Sequence, residues 1–269
     1  MMSEIDKKFV QRSFNTSAKT YDQYTSLQKS TITELLDHIN PDDFSITRAL
    51  DIGSGTGNLT AGLIQRFPKA KIYGCDLADS MQVEAKRKTG GKGIFSTADA
   101  ELLPYKENSF ELVVSSFTFQ WLNDWSGAID EIKKVLKPEG TFAFSVFGSK
   151  TFFELRQSFK KACAETGYSA GEPLELSTSK NSIMKSLLSA GFATPVLRSY
   201  SVVEEYDSVR ALIKSIRGMG AKNASNKRNR TPGVRTTLMK MINIYEKDFG
   251  NKNKIPASFE IIAGRAQVT

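Results

Sequence analysis

The feature that most constrains this chain is a short apolar run that stops abruptly in glycines. Arg48-Ala49-Leu50-Asp51-Ile52 leads into Gly53-Ser54-Gly55-Thr56-Gly57-Asn58, and Leu59-Thr60-Ala61-Gly62-Leu63-Ile64 then opens a helix whose exit is Phe67-Pro68. Glycines at alternate positions let a backbone turn sharply and let a bulky group approach without a Cβ in the way. Such a strand, turn and helix can bury both faces only inside a larger layered sheet, and the pattern repeats. Further strands are predicted at Lys71-Ile72-Tyr73-Gly74-Cys75-Asp76, around Ile94-Phe95, at Phe110-Glu111-Leu112-Val113-Val114, and from Gly140 to Val146, with helices over residues 80–88 and 125–136. Alternation at this spacing argues for a parallel sheet with right-handed crossovers.

Both flanks of this region are mainly helical. Residues 7–39 have helical spacing, with Asn40-Pro41 as the stop. Beyond Thr151 the spacing predicts helices over 152–165, 180–190, 208–217 and 234–249, a strand over 196–203, and a last alternating run over 258–268. The 269 residues carry 37 Lys and Arg against 29 Asp and Glu, a net charge of +8. That excess suits an acidic macromolecular partner, and the polar segment 222–231 contributes Lys222, Lys227, Arg228 and Arg230 to it. No stretch reaches the roughly 18 apolar residues of a spanning helix. The opening Met1–Lys8 has no apolar signal core, so a cytoplasmic protein that does not engage membranes is expected. Cys75 and Cys163 are too few for a disulfide framework and read as small buried thiols.

In an open parallel sheet, ligands bind beyond the carboxyl ends of the strands, where strand order reverses. The turn here is G-x-G-x-G with Asp51 two positions before it, rather than the G-x-G-x-x-G of a pyrophosphate site. An anion at Asp51 suits a ligand bearing an ammonium. Asp76 ends the second strand, where a carboxylate can accept from both hydroxyls of a ribose. Asp99, followed by Ala100 and Glu101, comes after the third strand, at the height of an adenine amine. For each acid the bland alternative is a helix cap or a solvated loop.

The run from Leu50 to Gly57, Asp76 and the Asp99-Ala100-Glu101 turn together resemble the class I methyltransferases that use S-adenosylmethionine. Phe14-x6-Tyr21-Asp22-x-Tyr24-x2-Leu27-Gln28, Phe119-Gln120-Trp121-Leu122, Ser215-Ile216-Arg217-x-x-Gly220-Ala221 and Tyr245-Glu246-x-x-Phe249 narrow the resemblance to the malonyl-[acyl-carrier protein] O-methyltransferase family of biotin synthesis. One departure is Ser54, where that family more often has Cys. The resemblance implies a Rossmann-like α/β fold: a mostly parallel seven-stranded sheet with helices on both faces. Its core would be residues 45–206, with a helical lid from 1–44 and from an insertion at 207–250, and a final strand in 251–269. It implies S-adenosylmethionine as cofactor, held by Asp51, Gly53, Gly55, Gly57, Asp76, Leu77, Met81, Asp99, Ala100, Glu101 and Ser115, with no metal. It further implies a malonyl-bearing acyl-carrier protein as partner, with substrate contacts at Tyr21, Gln28, Phe117, Gln120, Trp121, Lys214 and Arg217; the sequence does not show the oligomeric state, and a monomer is one option.

Residue chemistry is compatible with methylation of a carboxylate. A carboxylic acid with a pKa near ~4 is ionised at neutral pH and needs no general base. The single histidine, His38, sits in a helix tail and reads as a surface residue. A desolvated carboxylate does need compensating donors. Lys214 and Arg217, three apart on one helix, can share a face, and the Arg217 fork matches a carboxylate, with Tyr21 and Gln120 as further donors. Alternatively, Arg217 pairs with an acid on a neighbouring helix. Phe117, Phe119 and Trp121 can wall the methyl position, although Phe119 fits the core as well. The segment lacks the Asn/Asp-Pro-Pro-aromatic pattern of base-amine methylation, so nucleic acid is not the expected partner. Two other readings stay open: carboxyl methylation of a free small dicarboxylic acid such as aconitate, and a non-catalytic module that binds adenosylmethionine.

Overall fold

A computed structural model describes residues 4–39, 46–168, 178–220 and 233–269. Asn40 and Pro41, Ala221, and the basic residues Lys222, Lys227, Arg228 and Arg230 lie outside the described residues. The predicted parallel sheet is present. Strands β1 (Arg48–Ile52), β2 (Lys71–Asp76), β3 (Ile94–Thr97), β4 (Phe110–Ser116), β5 (Leu136–Phe147), β6 (Phe192–Tyr206) and β7 (Ile255–Val268) form one seven-stranded sheet in the order β3-β2-β1-β4-β5-β7-β6. The first five pair in parallel, and β7 runs antiparallel between β5 and β6. The chain moves outward from β1 to β3, then returns to place β4 on the other side of β1, so the strand order reverses between β1 and β4.

Helices α3 (Asn58–Arg66), α4 (Asp79–Lys88) and α5 (Trp125–Val135) make the crossovers. Adjacent strand residues point to opposite faces, and both faces are covered, so the central strands read as continuous apolar runs. Leu50, Val113 and Phe142 pack with Ile129 and Ile132 of α5. Their neighbours Ala49, Leu112 and Ala143 pack on the other side with Leu59 and Leu63 of α3. At roughly 1.5–3 kcal/mol for each large buried apolar side chain, these two layers supply the main drive to close the sheet.

The expected helical pattern over residues 7–39 is present as two helices with a break between them. Helices α1 (Lys7–Ser17) and α2 (Ser26–Asp37) flank a 3₁₀ turn over Tyr21–Gln23. Asp6 caps α1 by accepting from the Phe9 amide. The break has a tertiary cause: Asp22 in the turn accepts from Thr56 and Asn58 and pairs with Lys88, which draws the chain down onto the glycine turn. The late strands also exceed their expected bounds: β6 spans Phe192–Tyr206 rather than 196–203, and β7 begins at Ile255 rather than 258. Their mutual ladder runs from Phe192 with Val268 to Tyr206 with Ile255, and backbone pairing extends it past the apolar pattern that sequence can read. Helices α6 (Phe153–Thr166), α7 (Lys180–Ser189), α8 (Val209–Gly218) and α9 (Val234–Phe249) complete the described elements. Among the described residues, no helix is long and apolar enough to cross a membrane.

Insertion helices and N-terminal helices join in one apolar cluster. Val209, Leu212 and Ile216 of α8 and Met241, Ile242 and Tyr245 of α9 pack with Leu27 of α2, Phe117 and Phe147. Gly57, which caps α3 at φ 81°, shows how tightly the crossovers fit, since a Cβ there would lie 2.9 Å from the Ala85 Cβ in α4. Gly57→Ala combines this overpacking with a left-handed backbone, and thermal unfolding should show a Tm lower by roughly 5–10 °C.

Candidate active site

At the carboxyl end of β1 the backbone turns through three left-handed glycines, Gly53, Gly55 and Gly57, each for a different reason. A Cβ on Gly53 would sit 1.9 Å from Thr118 Oγ1. Thr118 needs that place because its hydroxyl donates to the Ile52 carbonyl, tying the loop after β4 to the end of β1. Gly57 makes room for α4. Gly55 differs from both: the nearest atom to a Cβ there is the Gly53 carbonyl oxygen at 4.0 Å. The space over Gly55 is open because it faces a cleft of about 690 Å³, open to solvent at its mouth, at the point where strand order reverses.

Asp76 forms the floor of the cleft. Its carboxylate accepts from the amides of Gly55 (2.9 Å) and Ala78 (2.8 Å), so the glycine turn and the start of α4 hold it in one orientation. Burial raises its pKa, and the two amides act in the opposite sense. Each oxygen keeps a lone pair for a further donor, which fits a ribose diol. Gly53, Leu77, Met81, Asp99, Ala100, Phe117, Trp121 and Tyr21 line the same cleft, as the sequence pattern anticipates. Thus the space above a side-chain-free turn, a buried carboxylate beside it and an acid at the far wall together fit an adenosine-bearing cofactor.

Four expected cofactor contacts do not line the cleft. Asp51 is buried behind the turn, where Oδ2 accepts from the Thr60 hydroxyl at 2.6 Å, so it acts on the cleft through its field and not by contact. Gly57 faces α4. Ser115 points away and donates to the Ile52 carbonyl, and its neighbour Ser116 lines the cleft instead, as strand alternation requires. Glu101 stands at the rim, bonded to the amides of Asn123 and Asp124.

Among the substrate candidates, Gln28 is used inside the lid, where its amide donates to the Met219 sulfur. Gln120 is half-buried outside the cleft lining, with Oε1 lacking a partner among the described residues. Lys214 and Arg217 are exposed on α8, away from the cleft, because Leu212 and Ile216 occupy the face that packs inward. Neither the expected carboxylate clamp nor the alternative Arg217 ion pair is present among the described residues. Phe119 belongs to the core, against Trp125 and Phe142.

Sequence reasoning missed the residues that fasten α1 over the cleft. Lys7 Nζ lies 2.5 Å from both Asp99 Oδ2 and Glu101 Oε2 and itself lines the cleft. Gln11 donates to the Leu77 carbonyl, and Asn15 accepts from the Ser80 amide. Lys88 binds Asp22, Asn58 and Thr56. Phe14 closes the wall edge-on against Trp121 at 5.4 Å. None of these contacts has a sequence signal, since each joins residues at least 30 positions apart.

Two comparisons bear on this site. The family model described as a methyltransferase domain matches residues 50–144, the segment that builds the cleft floor. A malonyl-[acyl-carrier protein] O-methyltransferase of Geobacter sulfurreducens is 33% identical over 262 residues, covering 97% of this chain and 98% of that one. The chain belongs to the malonyl-[acyl-carrier protein] O-methyltransferase family. Another member, from Halorhodospira halophila, is 33% identical and covers 97% of this chain and 88% of its own length. A phosphoethanolamine N-methyltransferase of Haemonchus contortus, solved with phosphomonomethylethanolamine and S-adenosylhomocysteine, shares the fold at a TM-score of 0.58 and 17% identity. It covers 97% of this chain and 59% of that one. The protein is therefore a class I methyltransferase that uses S-adenosylmethionine.

In this methyltransferase, burial above all pushes the Asp51 carboxyl up to about 7, with the Thr60 hydrogen bond opposing and the charge of Asp76 adding to the rise. A carboxyl raised in the folded state contributes stability below its unfolded pKa of ~4, and loses it as pH rises through 7. Asp51→Asn should accordingly flatten the fall in Tm of the ligand-free enzyme between pH 5 and pH 8. An unchanged slope would assign the pH dependence to other groups. For cofactor affinity, Gly55→Ala should weaken S-adenosylmethionine binding at least tenfold by calorimetry, while lowering Tm less than Gly57→Ala.

Proposed function

We propose that this enzyme transfers a methyl group from S-adenosylmethionine to the free carboxylate of a malonyl thioester carried by an acyl-carrier protein, the methyl ester that starts biotin synthesis. Full-length kinship carries this reading: relatives bearing that name align over nearly the whole chain, lid helices included. When bound, S-adenosylmethionine supplies an electrophilic methyl on a sulfonium leaving group. Asp76 holds the ribose hydroxyls against Gly55. Asp99 faces the adenine end, which requires Lys7 to share or yield that carboxylate.

The residues around the methyl position organise a substrate that is already reactive. His38 is exposed at the end of α2, consistent with a reaction that uses no histidine base. Tyr21 projects from the 3₁₀ turn into the cleft. Burial, and then the nearby charges of Asp76 and Asp22, push its phenol well above the usual tyrosine range. It stays protonated and donates a hydrogen bond to the incoming carboxylate. Phe14, Phe117 and Trp121 exclude water, which strengthens that hydrogen bond and leaves a cation–π contact for the sulfonium. Phe117 is held for this role at φ 54°, with its amide bonded to the Ser145 carbonyl and its ring 4.3 Å from that of Phe147. Alignment of oxygen, methyl and sulfur in such a pocket can supply roughly 7–11 kcal/mol of the barrier reduction.

The direct experiment incubates the enzyme and S-adenosylmethionine with malonyl-carrier protein, malonyl-coenzyme A and free dicarboxylic acids, and reads ester formation by mass spectrometry. Malonyl-carrier protein should be the preferred acceptor. Preference for a free diacid such as aconitate would establish the small-molecule reading instead. Tyr21→Phe should lower kcat/KM for the malonyl thioester by about tenfold to a hundredfold, as expected for loss of one hydrogen bond to a charged group. Cofactor affinity should change little.

A further inference from the structure

We infer that the outward face of α8, extended by the start of α9, is the docking surface for the acidic helix of the carrier protein. The inference rests on the carrier-bound substrate reading above. Ser208 caps α8 by accepting from the Ala211 amide, and Val209, Leu212 and Ile216 fix the helix's inward face in the lid cluster. With that face buried, Arg210, Lys214 and Arg217 fall at i, i+4 and i+7 on the opposite side, and all three are exposed. α8 contains no acidic residue. Among the described residues, none of the three cations has a carboxylate partner, and Arg210 instead donates to the Met239 sulfur of α9 at 3.3 Å.

That contact continues the patch onto the second helix. Met239 is 42% exposed, and Arg235, one turn earlier on α9, is exposed too. Three surface lysines nearby are paired by contrast: Lys161 with Asp248, Lys240 with Glu165 and Lys254 with Asp207. Of the acids that precede α8, Glu204 is engaged by Ser26 and Tyr206, Asp207 by Lys254, and the exposed Glu205 adds to the charge around Lys254. Arg210, Lys214 and Arg217, without a carboxylate partner among the described residues, and the exposed Arg235 lie beside a flexible thioether and form a surface complementary to a helix that presents carboxylates beside an apolar side chain.

The chain just beyond α8, unlike its outward face, adjoins a wall of the cleft. Beyond the end of α8, Met219 accepts from Gln28, and the Gly220 carbonyl accepts from Ser13 at 2.8 Å. Gly220 has no space for a Cβ, which would stand 3.0 Å from the Phe14 ring, and Phe14 is a wall of the cleft. A carrier seated along α8 therefore lies one helix end away from Phe14, a wall of the cleft that its thin thioester arm must reach. Long-range attraction to the cations would raise the encounter rate before docking.

Arg210→Glu/Lys214→Glu and the milder Arg210→Gln/Lys214→Gln test the assignment, each assayed with malonyl-carrier protein and with malonyl-coenzyme A. We expect kcat/KM for the carrier substrate to fall at least tenfold in the charge-reversed enzyme and by less in the neutral one, mainly through KM. Activity on malonyl-coenzyme A, cofactor affinity and Tm should be unchanged. The wild-type rate with carrier should decline as salt rises past about 0.1 M, where the Debye length is about 10 Å, and the charge-reversed enzyme should show a weaker decline. Unchanged carrier kinetics in the reversed enzyme, or equal losses on both thioesters, would overturn the docking surface while leaving the substrate reading intact. A wild-type enzyme that methylates neither thioester would overturn the substrate reading and the docking surface with it.

Discussion

The carboxylate of Asp76 is held by two backbone amides, one from the glycine turn and one from the start of α4. The Gly55 amide reaches Asp76 because the turn after β1 is left-handed at Gly53 and Gly55. Thr118, bonded to the Ile52 carbonyl, then occupies the volume that the missing Gly53 Cβ leaves. Three segments distant in sequence are in this way locked around one small opening. The opening lies between β1 and β4 because there the chain changes direction across the sheet, and the crossover helices diverge.

Over this rigid floor lies a cover of different character. The floor is apolar packing on both faces of a sheet. Helix α1 and the turn after it meet the floor through polar and ionic contacts at Lys7, Gln11, Asn15 and Asp22, whereas α2 packs Leu35 into the apolar core beside Leu59 and Leu63 of α3. Partly exposed contacts of this kind are individually weak and exchange with water.

Buried charge ties the two layers together chemically. Asp51, Asp76 and the phenol of Tyr21 share one low-dielectric region, and each is shifted toward its neutral form by burial. A cationic cofactor entering that region relieves the cost of ionising the two acids, whereas Tyr21 remains a proton donor. In the proposed reaction, such a site would favour a sulfonium over a neutral nucleoside and would supply a hydrogen bond to an incoming anion without providing a base.

The sequence by itself determined the sheet, the glycine turn, the acids at 76 and 99, and the family. These rest on local patterns: apolar periodicity, residues that tolerate left-handed backbone, and short motifs. Only tertiary structure decided which side chains reach the cleft. Asp51 and Ser115 were displaced from it by strand alternation and by the Thr60 and Ile52 hydrogen bonds. Lys214 and Arg217 were turned outward by the burial of Leu212 and Ile216, which changed an expected carboxylate clamp into a surface stripe. Lys7, Phe14 and Lys88 entered the site through contacts across 92, 107 and 66 residues, the separations of Lys7 from Asp99, Phe14 from Trp121 and Lys88 from Asp22. Helical periodicity specifies that a face exists, but the direction in which it points depends on what the rest of the chain packs against it.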